Sequence, residues 1–315
     1  MSRSGPETPL AQKRIYILGA GGQLGREMLR ATPPAGLGLR GFSRQELDVT
    51  DPTALMAAIG AADCALVVNC AAYTAVDKAE SDVQASFAVN VGGVAAMARA
   101  CDEAAVPLVH VSTEYIFDGR KNGPYVEADQ PSPLNAYGQG KAEAERHVRL
   151  LAKRHVILRT SWLFSAHGHN FVKTILRLAQ SHERLRVVVD QIGCPTPARD
   201  MAEAIMHIAG QLLAGKQDGF GTFHYCGAGP VSRLEFARAI VEQARPHLGE
   251  TPEIAPTSQS AFPTPAARPA NCVLDCAKIV KAYGLAQKSW EPGLADVITE
   301  LYAKTAGEGS AAAKK

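Results

Sequence analysis

Short runs of consecutive apolar residues alternate with stretches of helical periodicity through the first 160 residues of the chain. RIYILG (14–19) is apolar and ends in glycine. GQLGREMLRA (22–31) then spaces Leu24, Met28 and Leu29 along one helical face. LGLRGFS (37–43) reads as a second strand, and DPTALMAAIG (51–60) as a helix with Asp51 as N-cap and Pro52 at its first position. ALVVNC (65–70), VPLVHVST (106–113) and HVILRTS (155–161) give three more strands. Between them QASFAVNVGGVAAMARACDEA (84–104) predicts one long Ala-rich helix, and YGQGKAEAERHVRLLA (137–152) predicts another. Repeated βα units with nearly continuous apolar strands predict an α/β fold, a Rossmann-type doubly wound parallel sheet covered on both faces.

After residue 160 the pattern loosens. Pro195, Pro197, Gly219, Gly227 and Pro230 punctuate shorter elements, and residues 251–270 are rich in Pro, Ser and Thr. We read residues 14–160 as a dinucleotide-binding domain. Residues 161–303 read mainly as a smaller C-terminal α/β substrate-binding region over the carboxyl edge of the sheet, with some segments returning to that sheet. Residues 1–13 and 304–315 read as flexible tails.

Composition narrows the classes. Of 315 residues, 46% are hydrophobic, enough for a sizeable core. Lys and Arg number 33 against 31 Asp and Glu, so no concentrated basic field points to nucleic acid or a membrane surface. No run approaches the roughly 18 apolar residues of a membrane span, and the first residues lack the apolar core of a signal peptide. A cytoplasmic protein is expected. The seven cysteines (64, 70, 101, 194, 226, 272, 276) are odd in number and five sit in or beside apolar segments. That reads against a disulfide framework, and the closest pair in sequence, Cys272 and Cys276, has no metal-ligand spacing.

Three groups carry chemistry. Gly19, Gly22 and Gly25 follow the first strand and open the first helix, where glycine permits a tight turn and close approach of a pyrophosphate. At the end of the second strand the sequence reads Gly41-Phe42-Ser43-Arg44, with no acid before Glu46. Ser43 and Arg44 there suit a 2′-phosphate, which favours NADPH while leaving NADH open; the alternative for Arg44 is a solvated loop cation. Asp48 and Val49 are placed to touch the adenine. Tyr137 and Lys141 stand four apart at a helix start and so share a face. An adjacent ammonium lowers a phenol's pKa and makes it a usable general acid. That spacing alone is common, but Ser112-Thr113 end the fourth strand at the same sheet edge as the glycine turn. Hydroxyl, phenol and ammonium beside a nicotinamide make a carbonyl-reducing site.

On these residues the chain resembles the extended short-chain dehydrogenase/reductase superfamily. Within it, GAGGQLG (19–25), NCAAYTAVDKAE (69–80), VHVSTEYIFDG (109–119), PYVEADQPSPLNAYGQGKAEAE (124–145), VVDQIGCPT (188–196) and RPANCVLD (268–275) are similar to the dTDP-4-dehydrorhamnose reductase family. The resemblance implies that Tyr137 protonates a sugar C4 oxygen, Lys141 binds the nicotinamide ribose and tunes Tyr137, and Thr113 hydrogen-bonds the carbonyl. It implies cofactor contacts from Gly19, Gly22, Gln23, Leu24, Gly25, Ala71 and Ala72. Thr74, Val76, Glu114, Tyr115, Trp162 and Arg268 would line the nucleotide-sugar site, with Trp162 and Tyr115 offering apolar faces to the sugar methyl and Arg268 offsetting a diphosphate. Core aromatics and a surface arginine are the alternatives for these last three.

The chain departs from the family at Glu114 for an aspartate, Gly140 for a serine and Tyr73 for a histidine. Some members hold magnesium between subunits through glutamates. No matching carboxylates are identified here, no metal is expected, and a homodimer is open. Two other readings stay open: a reductase of another nucleotide-linked 4-ketosugar, and a non-catalytic NADP-binding regulatory subunit.

Overall fold

The computed structural model describes residues 12–312, with side chains to residue 303. Six parallel strands form the central sheet: β1 (Arg14–Leu18), β2 (Gly38–Phe42), β3 (Cys64–Asn69), β4 (Leu108–Thr113), β5 (His155–Thr160) and β6 (Gly221–His224). Their order across the sheet is β6-β5-β4-β3-β1-β2. The chain therefore leaves β1 toward β2 on one side and returns to β3 on the other. That switch point opens a crevice outside the carboxyl ends of β1 and β3, where ligands of such sheets bind.

Helices α1 (Gln23–Arg30), α2 (Pro52–Ile59), α3 (Val94–Glu103) and α4 (Ala136–Leu151) connect the first five strands. The capping expected of α2 is present: the Asp51 carboxylate accepts from the N–H groups of Thr53 and Ala54, both at 3.0 Å. One expectation is corrected. The long helix predicted over 84–104 is interrupted by a π-helical turn at Ala88–Gly93. Its buried Asn90 turns out of the helix, accepting from the Tyr73 N–H (2.9 Å) and donating to the Tyr73 carbonyl (3.0 Å). At Gly93 a Cβ would lie 2.7 Å from the Val49 carbonyl oxygen, so this turn presses directly on the loop after β2.

Beyond β5 the chain supplies α5 (Phe171–Ala179), α6 (Ala198–Leu213), α7 (Arg233–Ala244) and α8 (Trp290–Ala312). Helix α6 packs its buried Met201, Ile205 and Ile208 into the core under β1, β3 and β4, and β6 joins the sheet beside β5. A separate core gathers Trp162, Phe164, Phe236, Ile240 and Trp290 around α5, α7 and α8. Helix α8 runs to Ala312, so the expected flexible tail from 304 is corrected to helix as far as that residue. The rest of the tail expectations, residues 1–11 and 313–315, lies outside the described residues. No helix among the described residues is long and apolar enough to cross a membrane.

Candidate active site

The glycine turn sits at the crevice. Gly19 has φ +79°, and a Cβ there would lie 2.6 Å from the Ala71 nitrogen at the end of β3. A Cβ on Gly25 would lie 2.3 Å from the Gly19 carbonyl oxygen. Gly22 caps α1 with no side-chain hydrogen bond, so no side chain competes for the first N–H groups of the helix. Backbone donors at an open helix start, with glycine on either side, fit a pyrophosphate. Asn69 holds the facing segment by accepting from the Ala71 N–H (3.0 Å), while Ala71 and Ala72 are half-buried along it.

Two residues of this group have their side chains engaged within the protein. The Leu24 side chain is buried in the core, which leaves its backbone to face a ligand. Gln23 is clasped by the loop after β5, accepting from Asn170 (2.8 Å) and donating to the His169 carbonyl (3.1 Å). At the end of β2, Arg44 is exposed and 3.7 Å from Asp48, whose carboxylate also accepts from the Thr50 N–H (2.9 Å). Glu46, four residues past the strand end, folds back so that its carboxylate accepts from the Ser43 N–H at 2.7 Å. Val49 is buried against the core under this loop.

Tyr137 is the second residue of α4. Asn135 fixes that helix start by accepting from the Gly138 N–H (2.8 Å) and donating to the Ala267 carbonyl (2.7 Å). Gly138 is required there, since a Cβ would lie 2.2 Å from the Tyr115 carbonyl oxygen. At Gly140 the neighbours are at ordinary contact distance, 3.6 Å and beyond, so the glycine there is not forced by space. The Tyr137 ring is buried, with ring centroids 5.7 Å from Tyr115 in an edge-on contact, and Val76 and Ala79 pack on the same cluster.

Burial raises the Tyr137 phenol, the Glu114 charge raises it further, and hydrogen bonding to Thr113 pulls the other way. The expected depression by Lys141 is not among the interactions that shift it. The Lys141 ammonium instead donates to the Val111 carbonyl (2.7 Å) and contacts His110 Nε2 (3.2 Å), and burial brings it down to about 8. His110 is fully buried and its other ring nitrogen meets the Asn69 amide at 3.0 Å. Sequence reasoning missed His110, which looks like one more apolar-strand residue of VPLVHVST.

The paired hydroxyls at the end of β4 separate. Ser112 donates to the buried Glu145 carboxylate (2.6 Å), which also binds Arg159 (2.7 Å) beneath the sheet edge. Thr113 stays at the site, donating to Glu114 at 2.8 Å and accepting from the Tyr115 N–H at 3.2 Å. Glu114 is buried, and desolvation pushes its carboxyl up to about 7. A carboxyl whose folded pKa is raised binds its proton more tightly in the folded chain, so stability falls as pH rises from about 4.5 to about 7. Glu114→Gln is expected to remove that loss. Its stability gain over the wild type should grow from about pH 5 to about pH 8, by something on the order of 3 kcal/mol, in denaturant melts at both values. A difference that stays constant over that range contradicts titration of a buried carboxyl.

The remaining expected substrate residues divide. Thr74 is exposed. Arg268 does not present a free charge: Nη1 and Nη2 donate to the two oxygens of Asp77 at 3.0 and 2.7 Å. Nor does Trp162 show open faces. A Cβ on Gly193 would lie 2.4 Å from its indole, and the Arg233 guanidinium carbon lies 3.6 Å from its ring centroid. Trp162 holds φ +47°, a left-handed conformation that costs energy in a bulky residue.

Away from this edge, Glu27, His167 and Glu300 bring ligand-type atoms within 4.8 Å of one another, carboxylates that sequence reading did not connect. Arg30 donates to Glu300 at 3.0 Å, so a guanidinium already balances that carboxylate. Cys272 is not near-paired with Cys276; Cys226 is, with sulfurs 3.7 Å apart.

Sheet order, crevice, glycine turn and the Tyr-Lys-Thr set together define an oxidoreductase fold of the short-chain dehydrogenase type. A sequence model of the family described as "RmlD substrate binding domain" matches residues 13–303, and the chain belongs to that family. A dTDP-4-dehydrorhamnose reductase of Aggregatibacter actinomycetemcomitans is 40% identical over 90% of this chain and 98% of its own length. One from Escherichia coli K12 is 35% identical over 93% and 99%. Among solved structures, a dTDP-4-dehydrorhamnose reductase from Bacillus anthracis, in complex with NADP, superposes with TM-score 0.83 at 33% identity, covering 92% of this chain and 99% of that one.

Proposed function

We propose that the protein reduces dTDP-4-dehydro-β-L-rhamnose to dTDP-β-L-rhamnose with NADPH, the last step of dTDP-L-rhamnose synthesis. What supports the reading most is that Tyr137, Thr113 and Tyr115 meet at the carboxyl edge of the sheet that also carries the glycine turn.

Bound NADPH supplies a hydride to the ketone carbon. The chain's part is to hold the ketone oxygen beside the Tyr137 phenol, which delivers a proton to it, while the Thr113 hydroxyl turns its one proton from the Glu114 carboxylate to that oxygen when substrate binds. A raised phenol pKa keeps that proton in place throughout the neutral range. An alkoxide is a stronger base than a phenolate, so the developing C4 oxygen takes the proton without the phenol first being acidified. Lys141, anchored on Val111 and His110, is assigned to the nicotinamide ribose. Val76 and Tyr115 cover the ring cluster and keep water from the reacting centre.

Arg44 is assigned to the 2′-phosphate. Arg44→Asp is expected to move the ratio of kcat/KM values for NADPH and NADH about tenfold toward NADH, since one charge-assisted contact is replaced by repulsion. An unchanged ratio leaves Arg44 without that role. The function itself is tested by adding dTDP-4-dehydrorhamnose to the protein with NADPH. Cofactor oxidation with dTDP-rhamnose as product is expected, and no turnover on this sugar overturns the reading.

A further inference from the structure

Two arginines stand near the substrate side of Tyr115, and they differ in how their charge is balanced. Arg268 is matched by Asp77 through two hydrogen bonds and contributes little net charge. Arg233, the first residue of α7, has no ion pair among the described residues. Its guanidinium carbon lies over two aromatic rings, 3.6 Å from the Trp162 centroid and 4.8 Å from that of Phe171. Cation–π contact of this kind holds a cation in place without neutralising it.

The surroundings make that charge costly. Burial lowers the Arg233 pKa, with Tyr115, Cys272 and Glu114 within electrostatic reach, and Arg268 repels it. Glu114, the acid within electrostatic reach, has its carboxylate engaged by the Thr113 hydroxyl. A partly desolvated guanidinium with no carboxylate partner, next to the cluster that surrounds Tyr137, is a cation prepared for an anionic ligand.

We propose that Arg233 binds the diphosphate of the nucleotide sugar, and that Arg268 is a positioning residue that ties the Asp77 segment to the loop before residue 271. The inference rests on the function proposed above and deepens it. A guanidinium fork matches phosphate oxygens in pairs, and its stack on Trp162 sets the plane in which it meets them. Trp162 then acts on the substrate through Arg233 rather than through its own face.

The test compares wild type, Arg233→Gln and Arg233→Lys for competitive inhibition by dTDP and by thymidine, KM for the ketosugar, and NADPH affinity. In the Gln variant the dTDP inhibition constant and the KM are expected to rise about tenfold or more. Thymidine inhibition and NADPH affinity should hold, and the Lys variant, which keeps the charge and loses the fork, should fall between wild type and Gln in dTDP binding. If the Gln variant does not fold, Arg233→Met keeps a side chain over Trp162 without charge and is read in the same way. Unchanged dTDP affinity in an uncharged variant, with the wild type turning over the ketosugar, overturns this inference alone. Equal weakening of dTDP and thymidine also overturns it by assigning Arg233 to packing. A wild type that does not turn over the ketosugar overturns the function first.

Discussion

Tyr137→Phe lowers kcat for the ketosugar by about three orders of magnitude, and NADPH affinity stays within about twofold of wild type. The phenyl ring keeps the edge-on contact with Tyr115 and the packing with Val76 and Ala79, so the cluster and the helix start survive. What is lost is one O–H aimed at the site. A general acid positioned in the transition state contributes roughly a hundred- to ten-thousand-fold, and no other described donor beside Thr113 replaces it. The loss therefore falls on kcat and kcat/KM alike. Single-turnover rates and a separate NADPH titration measure the two quantities, and turnover close to wild type removes Tyr137 from the chemistry.

Gly25→Ala is the second large effect. The new Cβ meets the Gly19 carbonyl oxygen at 2.3 Å and the Ala20 Cα at 2.7 Å, both backbone atoms that cannot swing aside. The turn must open, and with it the register between the start of α1 and the end of β3. Overpacking of this kind costs about 2 kcal/mol, and NADPH affinity is expected to fall tenfold or more. Gly22, where a Cβ would find its nearest neighbour at 3.3 Å, is the milder position. Calorimetric titration with NADPH and a thermal melt read both effects. Wild-type NADPH affinity in Gly25→Ala contradicts the glycine turn as the cofactor cradle.

Local rules made much of this legible in the sequence. The βα alternation, the Asp51 cap, the glycine turn and the Tyr137/Lys141 spacing are each written within a few residues. The π turn at 88–93 was hidden because it adds only a single residue to an otherwise regular apolar pattern. The rest depends on pairings between distant segments. Asp77 and Arg268 are 191 residues apart, and two hydrogen bonds join them. Arg233 covers Trp162 from a helix in the second core, so an aromatic face that looked available is occupied. Lys141 reaches the strand β4 backbone and His110 instead of acting on Tyr137, because its long buried side chain finds acceptors beneath the sheet edge. Charge placement, more than fold, is what the sequence concealed.

The central claim is direct reduction of a sugar ketone, and isotope transfer tests it most closely. Reaction of the protein with dTDP-4-dehydrorhamnose and NADPH carrying deuterium at both nicotinamide C4 positions should give dTDP-rhamnose with one deuterium, at sugar C4, seen by mass spectrometry and proton NMR. Product without that deuterium, deuterium at another carbon, or no product at all contradicts it.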